Sequence, residues 1–292
     1  MHQTTLAGPA IFAGVGLHTG VRVRAAILPA PAGSGVTFLR TDVRGDNCVS
    51  ATSDNVVNTR LGTVIGNDAG VTVSTIEHLM AALAALEVDN AVIELDGPEV
   101  PIMDGSSQLF VQLIDQVGRR SQEALREYVE VLRPIEVSDG DKRAGLYPAS
   151  RFELAFEIDF DSPAIGRQRV DFVMDEEAFR RGLSDCRTFG FAHEVEALRR
   201  AGLARGGSLD NAVVIEDDRV INPEGLRRPD EFVRHKALDA VGDLYLLGRP
   251  LIGRYEAYCS GHGLNNALIR ALEANPRAWR VRGVTPALAE AV

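Results

Sequence analysis

Two stretches of this chain, residues 74–117 and 230–274, carry the same order of elements, and that repeat constrains the fold more than any single motif does. In each, an apolar-periodic segment with a histidine near its start leads into a run of strand character, then a glycine-bearing turn, then a second helical segment. The first opens with Ser74-Thr75-Ile76-Glu77-His78 and continues as a helix over 79–86. A strand over 90–95, the turn Pro101-Ile102-Met103-Asp104-Gly105-Ser106 and a helix over 108–117 follow. The second has a helix over 230–247, a strand over 251–258, the turn Cys259-Ser260-Gly261-His262-Gly263 and a helix over 264–274. Residue identity between the stretches is weak, and the order of elements carries the repeat. Such a chain is predicted to build two layered α/β units facing each other, with the histidine helices at the seam.

The rest of the chain fits that plan. Strand-like runs open each half, at 21–28 and 36–39 in the first and at 128–137 and 152–160 in the second. Between them, residues 118–127 are polar and charged, as a connection between domains should be. The expected domains are therefore 1–120 and 127–292.

In the segment 230–247, Val233, Ala237, Ala240, Val241 and Leu244 recur at three- and four-residue intervals and mark one buried helical face. His235, Asp239 and Asp243 then share a neighbouring stripe, with Lys236 on its border, at steps that bring side chains together. A charged stripe also serves as the solvated side of a helix. That side usually mixes Glu, Lys and Arg, whereas here a histidine and two short carboxylates line up. Together with His78, His235 and an aspartate of this stripe make a complete three-ligand set for a catalytic metal.

Ser74-x-x-Glu77 has the form of a capping box, so Glu77 reads equally as a helix cap and as a general base beside a metal-binding histidine. His78 reads as a core histidine or as a ligand. His262, between two glycines at the end of a strand, is placed as a proton-transfer group would be. Asp243 is its candidate partner, orienting the ring and favouring its protonated form.

Composition removes several other classes. A formal net charge of −10 leaves no basic footprint for nucleic acid. No apolar run approaches the length of a bilayer span. Met1-His2-Gln3-Thr4-Thr5 lacks the basic and apolar regions of a secretion signal, which gives an expected cytoplasmic location. Cys48, Cys186 and Cys259 are odd in number and lack metal-site spacing, so they are expected to be free thiols.

Five segments, in order along nearly the whole chain, resemble those of the UDP-3-O-acyl-N-acetylglucosamine deacetylases, the zinc enzymes of the committed step in lipid A synthesis. They are Gly14-Val15-Gly16-Leu17-His18-Thr19-Gly20, Ser74-Thr75-Ile76-Glu77-His78, Pro101-Ile102-Met103-Asp104-Gly105-Ser106, Arg187-Thr188-Phe189-Gly190-Phe191, and the stretch from Asp230 through His235-Lys236, Asp239 and Asp243 to Ser260-Gly261-His262. The resemblance implies an α+β fold of two similar two-layer sandwich domains, each with an inserted region, and an active site at their interface. It implies that His78, His235 and Asp239 hold one Zn²⁺, with Fe²⁺ as the alternative ion in the cell. Glu77 would be the general base, and His262, held by Asp243, would be cationic and protonate the departing amine.

Further contacts follow from the same resemblance. Lys236 would meet the diphosphate or sugar side, and Thr188, Phe189 and Phe191 would lie near the acetamide and acyl chain. Leu61 and the segment 201–208 would shape an apolar passage, while His18 would reach phosphate or serve as a turn residue. The implied substrate is a UDP-linked acylated amino sugar, and the implied protein is a monomer that neither binds nucleic acid nor inserts in a membrane. Some members carry a cysteine where this chain has Gly62, and many a lysine where it has Cys259.

Two other classes lack their marks in this chain. A zinc peptidase or deaminase would show His-Glu-x-x-His or Pro-Cys-x-x-Cys, and neither occurs. A non-catalytic relative would have lost a ligand or Glu77, and all are present.

Overall fold

The computed structural model describes residues 1–283 and shows an α+β fold. Its six helices are α1 (Glu77–Ala85), α2 (Gln108–Val117), α3 (Glu176–Gly182), α4 (Ala192–Arg200), α5 (Glu231–Leu244) and α6 (His262–Glu273). The repeated order read from the sequence is present as α1, strand Ala91–Leu95, α2 and as α5, strand Leu251–Tyr258, α6.

Each repeat's strand lies inside a larger sheet. Ala91–Leu95 is the middle of five strands, antiparallel to Arg22–Pro29 and parallel to Val36–Arg40. Leu251–Tyr258 is the hub of seven, antiparallel to Lys142–Tyr147 and parallel to both Phe152–Asp159 and Glu127–Val131. Along Arg22–Pro29 the residues Val23, Ala25 and Ile27 are buried while their neighbours are not, as expected of a sheet with one face packed and one in water. The α2 helix packs on the first sheet, and α5 and α6 pack on the second. The α1 helix lies against α5, so the two units meet helix to helix. Their buried residues form one continuous core, from Leu6 to Ala278.

Three sequence expectations differ from the structure. The 118–127 connection contains a strand, Arg119–Leu125, antiparallel to His2–Leu6. This ribbon is largely exposed, so its residues show no apolar alternation to announce a strand. The run 128–137 divides into Glu127–Val131 and Ile135–Asp139 around Pro134, which cannot donate to a sheet ladder. His262, expected in a loop, is the first residue of α6.

Candidate functional site

The site begins at the crossing of α1 and α5, which is unusually close because Gly242 has no side chain. A Cβ on Gly242 would stand 2.0 Å from the backbone oxygen of Glu77. The crossing carries His78 to His235, their rings edge to face at 82° with centroids 4.9 Å apart. Both Nε2 atoms address Asp239 Oδ1, at 3.4 Å from His78 and 3.3 Å from His235, and all three side chains are buried. One ligand atom from each lies within 4.8 Å of the others.

This donor set fits a divalent cation. Asp239 Oδ1 is buried without a hydrogen-bond partner among the described residues, while Oδ2 pairs with Lys236 Nζ at 2.7 Å. A buried acceptor left unmet costs roughly 1–3 kcal/mol, and more when charged, so a cation there removes a penalty. His235 Nδ1 lies 3.0 Å from the Cys186 carbonyl. A carbonyl only accepts, so Nδ1 carries the hydrogen and the Nε2 lone pair is left for a ligand role. Burial pushes the His235 ring down to about 3, keeping it neutral as a metal ligand must be.

Around this centre stand the groups that can move protons. Glu77 is buried, and burial raises its carboxyl above the ordinary value, against the pull of His262 and His78. The capping-box reading of Ser74 and Glu77 is not what holds α1. The N-cap is Ile76 without a side-chain cap, and Glu77 Oε2 instead accepts from the Thr63 N–H at 2.9 Å. Gly62 beside it leaves no room, since a Cβ there would lie 2.9 Å from Glu77 Oε1.

His262 Nδ1 lies 2.9 Å from Asp243 Oδ2, which also accepts from Asn265 Nδ2 at 2.8 Å, while Asp243 Oδ1 accepts from Thr63 Oγ1 at 2.5 Å. Burial works against a charged His262, but Asp243, with Glu77 and Asp239 behind it, outweighs burial and holds the ring up at about 9. Its Nε2 faces the centre, 4.0 Å from Asp239 Oδ2.

These groups open onto a cavity of about 360 Å³ that also takes in Leu61, Thr188, Phe189 and Lys236. Asp243 stands behind His262. Phe191 is elsewhere, in a neighbouring depression with Phe160 and His193. His18 is not among the lining residues either. Its backbone N–H donates to the buried Glu99 carboxylate at 2.8 Å, and Leu17 beside it reaches the cavity instead.

Sequence reasoning missed Thr59 and Arg60, and it missed Asp139 and Lys142 from the hairpin over 135–147, all of which line the cavity. Thr63 and Asn265, which hold Glu77 and Asp243, were missed as well. The only signal for the hairpin was a glycine-bearing turn between two strand-like runs. A wider depression of about 560 Å³ over the outer face of the seven-stranded sheet contains none of His78, Glu77, His235, Asp239, Asp243 or His262.

One wall near the cavity joins the two halves through backbone hydrogen bonds. Arg205 N–H donates to His18 O at 3.2 Å and Gly206 N–H to Leu17 O at 3.0 Å. A Cβ on Gly206 would stand 2.2 Å from the oxygen of Gly16. The segment 201–208 thus closes onto the Gly-rich turn 14–20.

Residues 3–274 match the family described as UDP-3-O-acyl N-acetylglycosamine deacetylase. The chain is similar to proteins named UDP-3-O-acyl-N-acetylglucosamine deacetylase from several bacteria. It is 65% identical to that of Phenylobacterium zucineum over the whole of both chains. It is 49% identical to that of Myxococcus xanthus over 96% of this chain and 89% of that one. It is also 49% identical to that of Shewanella frigidimarina over 92% of this chain and 88% of that one.

Proposed function

From the premise that this chain belongs to the UDP-3-O-acyl N-acetylglycosamine deacetylase family and is a deacetylase, we propose that it is a zinc enzyme. It removes the acetyl group from UDP-3-O-((3R)-hydroxyacyl)-N-acetylglucosamine, releasing acetate and the free 2-amino sugar, in the cytoplasm and as the committed step of lipid A synthesis. The observation that carries the reading is the convergence of two buried imidazoles on an otherwise unmet Asp239 oxygen, with Glu77 and His262 opening onto the same cavity.

His78, His235 and Asp239 would hold the ion. When bound, Zn²⁺ supplies a Lewis acid that polarises the amide carbonyl and makes water acidic enough to attack at neutral pH. Glu77 takes the proton from the attacking water, a task its raised pKa suits, because a base must later release what it takes. His262, charged near neutral pH, stabilises negative charge growing on the carbonyl oxygen and then gives its proton to the leaving nitrogen. Asp243 keeps that ring oriented and charged, and Asn265 and Thr63 keep Asp243 in place.

For the substrate, Lys236 and Lys142 bring cations to a cavity that must receive a diphosphate, and Leu61 and Phe189 provide its apolar side. Lys142 lines this cavity beside Asp139. Residues 1–120 and 127–283 act as the two domains that enclose the substrate, the rest of the expected second domain, to 292, lying outside the described residues.

The test is acetate release from that UDP-sugar by chelated protein and by protein restored with zinc. Activity is expected only after restoration. Restored protein that holds its metal and leaves the substrate intact overturns the functional reading.

A further inference from the structure

One peptide group, between Cys186 and Arg187, is bonded at both ends. Its carbonyl accepts from His235 Nδ1 at 3.0 Å, and its N–H donates to Glu231 Oε1 at 3.0 Å. Glu231 sits one helical turn before His235 on α5 and is fully buried. It also accepts from Arg187 Nε at 2.9 Å and from the Arg227 N–H at 2.7 Å. Arg187 is buried too; its guanidinium also reaches Glu231 Oε2 at 3.3 Å, and bonds Glu224 and the Gly225 carbonyl.

We propose that Glu231, held by Arg187, is a positioning residue that acts through this single peptide group on the metal-facing nitrogen of His235. The carboxylate draws on the peptide N–H, and the amide responds by placing more negative charge on its oxygen. That oxygen draws in turn on Nδ1–H, which fixes the ring plane and makes Nε2 a better electron donor. Metal-binding histidines commonly give their second N–H directly to a carboxylate or to a carbonyl. Here a carbonyl is backed by a carboxylate, so the polarisation passes through the backbone.

Stability alone does not account for the arrangement. A buried ion pair is often no more stabilising than apolar residues of the same volume, whereas breaking one is costly. Pinning the segment 185–188 needs only a neutral acceptor. A charge aimed along a peptide bond at a ligand histidine does something a neutral acceptor does not.

The inference rests on the functional reading above, and its test separates the two. Zinc affinity by competition with a chelator and the ¹⁵N shift of His235 Nε2 in metal-free protein are measured for wild type, Glu231→Gln and Glu231→Asp. Glu231→Gln keeps the size and one acceptor but loses the charge. It is expected to weaken zinc binding on the order of ten- to a hundredfold and to move the Nε2 shift, with KM unchanged at saturating metal. Glu231→Asp is expected to recover part of both. A folded Glu231→Gln with wild-type zinc affinity and an unmoved Nε2 shift overturns the inference alone, while a wild type that takes up no zinc overturns the functional reading along with it.

If Glu231→Gln does not fold, the Arg187 amide proton of the wild type decides. It is expected to resonate far downfield and to move when zinc is added to the metal-free protein. A resonance in the ordinary amide range that ignores zinc overturns the proposal.

Discussion

His262 begins α6, where the helix dipole opposes a positive charge, and Asp243 is the group that reverses the balance. In metal-free protein this has a signed consequence. The ring's folded-state pKa, about 9, lies above its ordinary 6.5, so the stability it contributes is fully present below 6.5 and is lost as pH climbs from there through 9. Asp243, Glu77 and Asp239 are the charges that hold it up, and Asp243→Asn is expected to flatten that part of the stability profile, as read from denaturant midpoints across the window. Replacing Glu77 by Gln, or His262 by Asn, should lower turnover on the order of a hundredfold or more, with bound zinc unchanged by metal analysis. At this scale the residues that meet around the cavity were legible, His235, Asp239 and Asp243 as one stripe at helical spacing and the rest through the resemblance to the family. Their holders were not: Thr63 and Asn265 are ordinary residues in sequence, and Glu77 looked like a cap because its true partner comes from a loop 14 residues earlier.

Among the elements, the α1 and α5 crossing decides whether the histidines can meet. Gly242→Ala places a methyl group 2.0 Å from the Glu77 backbone oxygen, so the helices must separate. The expected result is a loss of about 1–3 kcal/mol in stability together with weaker zinc binding, both measurable on purified protein. Wild-type affinity in that variant would mean the crossing does not set the ligand geometry. Helix α2 was readable because it buries one face and leaves a periodic trace, whereas α5, buried on nearly every side, showed only an apolar stripe beside its polar one. The strand Arg119–Leu125 left none, since its ribbon with His2–Leu6 stands largely in water and polar residues occupy both faces. Gly242, which permits the crossing, was equally silent, because a glycine inside a helix names no partner.

For the molecule as a whole, the continuous core implies that the two units do not unfold one at a time. A single cooperative transition is expected by calorimetry, rising with zinc and falling with chelator, since a ligand that binds only the folded state stabilises it by mass action. Two separated transitions would show that the halves are independent. No helix among the described residues is long and apolar enough to cross a membrane. The pairing of two similar units was legible from the repeated order of elements, but the way they touch was not, because interfaces between halves leave no period in the sequence. The wall made where Gly206 meets Gly16 illustrates what such contacts entail. Neither Gly16 nor Gly206 has room for a Cβ, so a side chain at either position would have to push the two halves apart at the edge of the cavity that Leu17 lines.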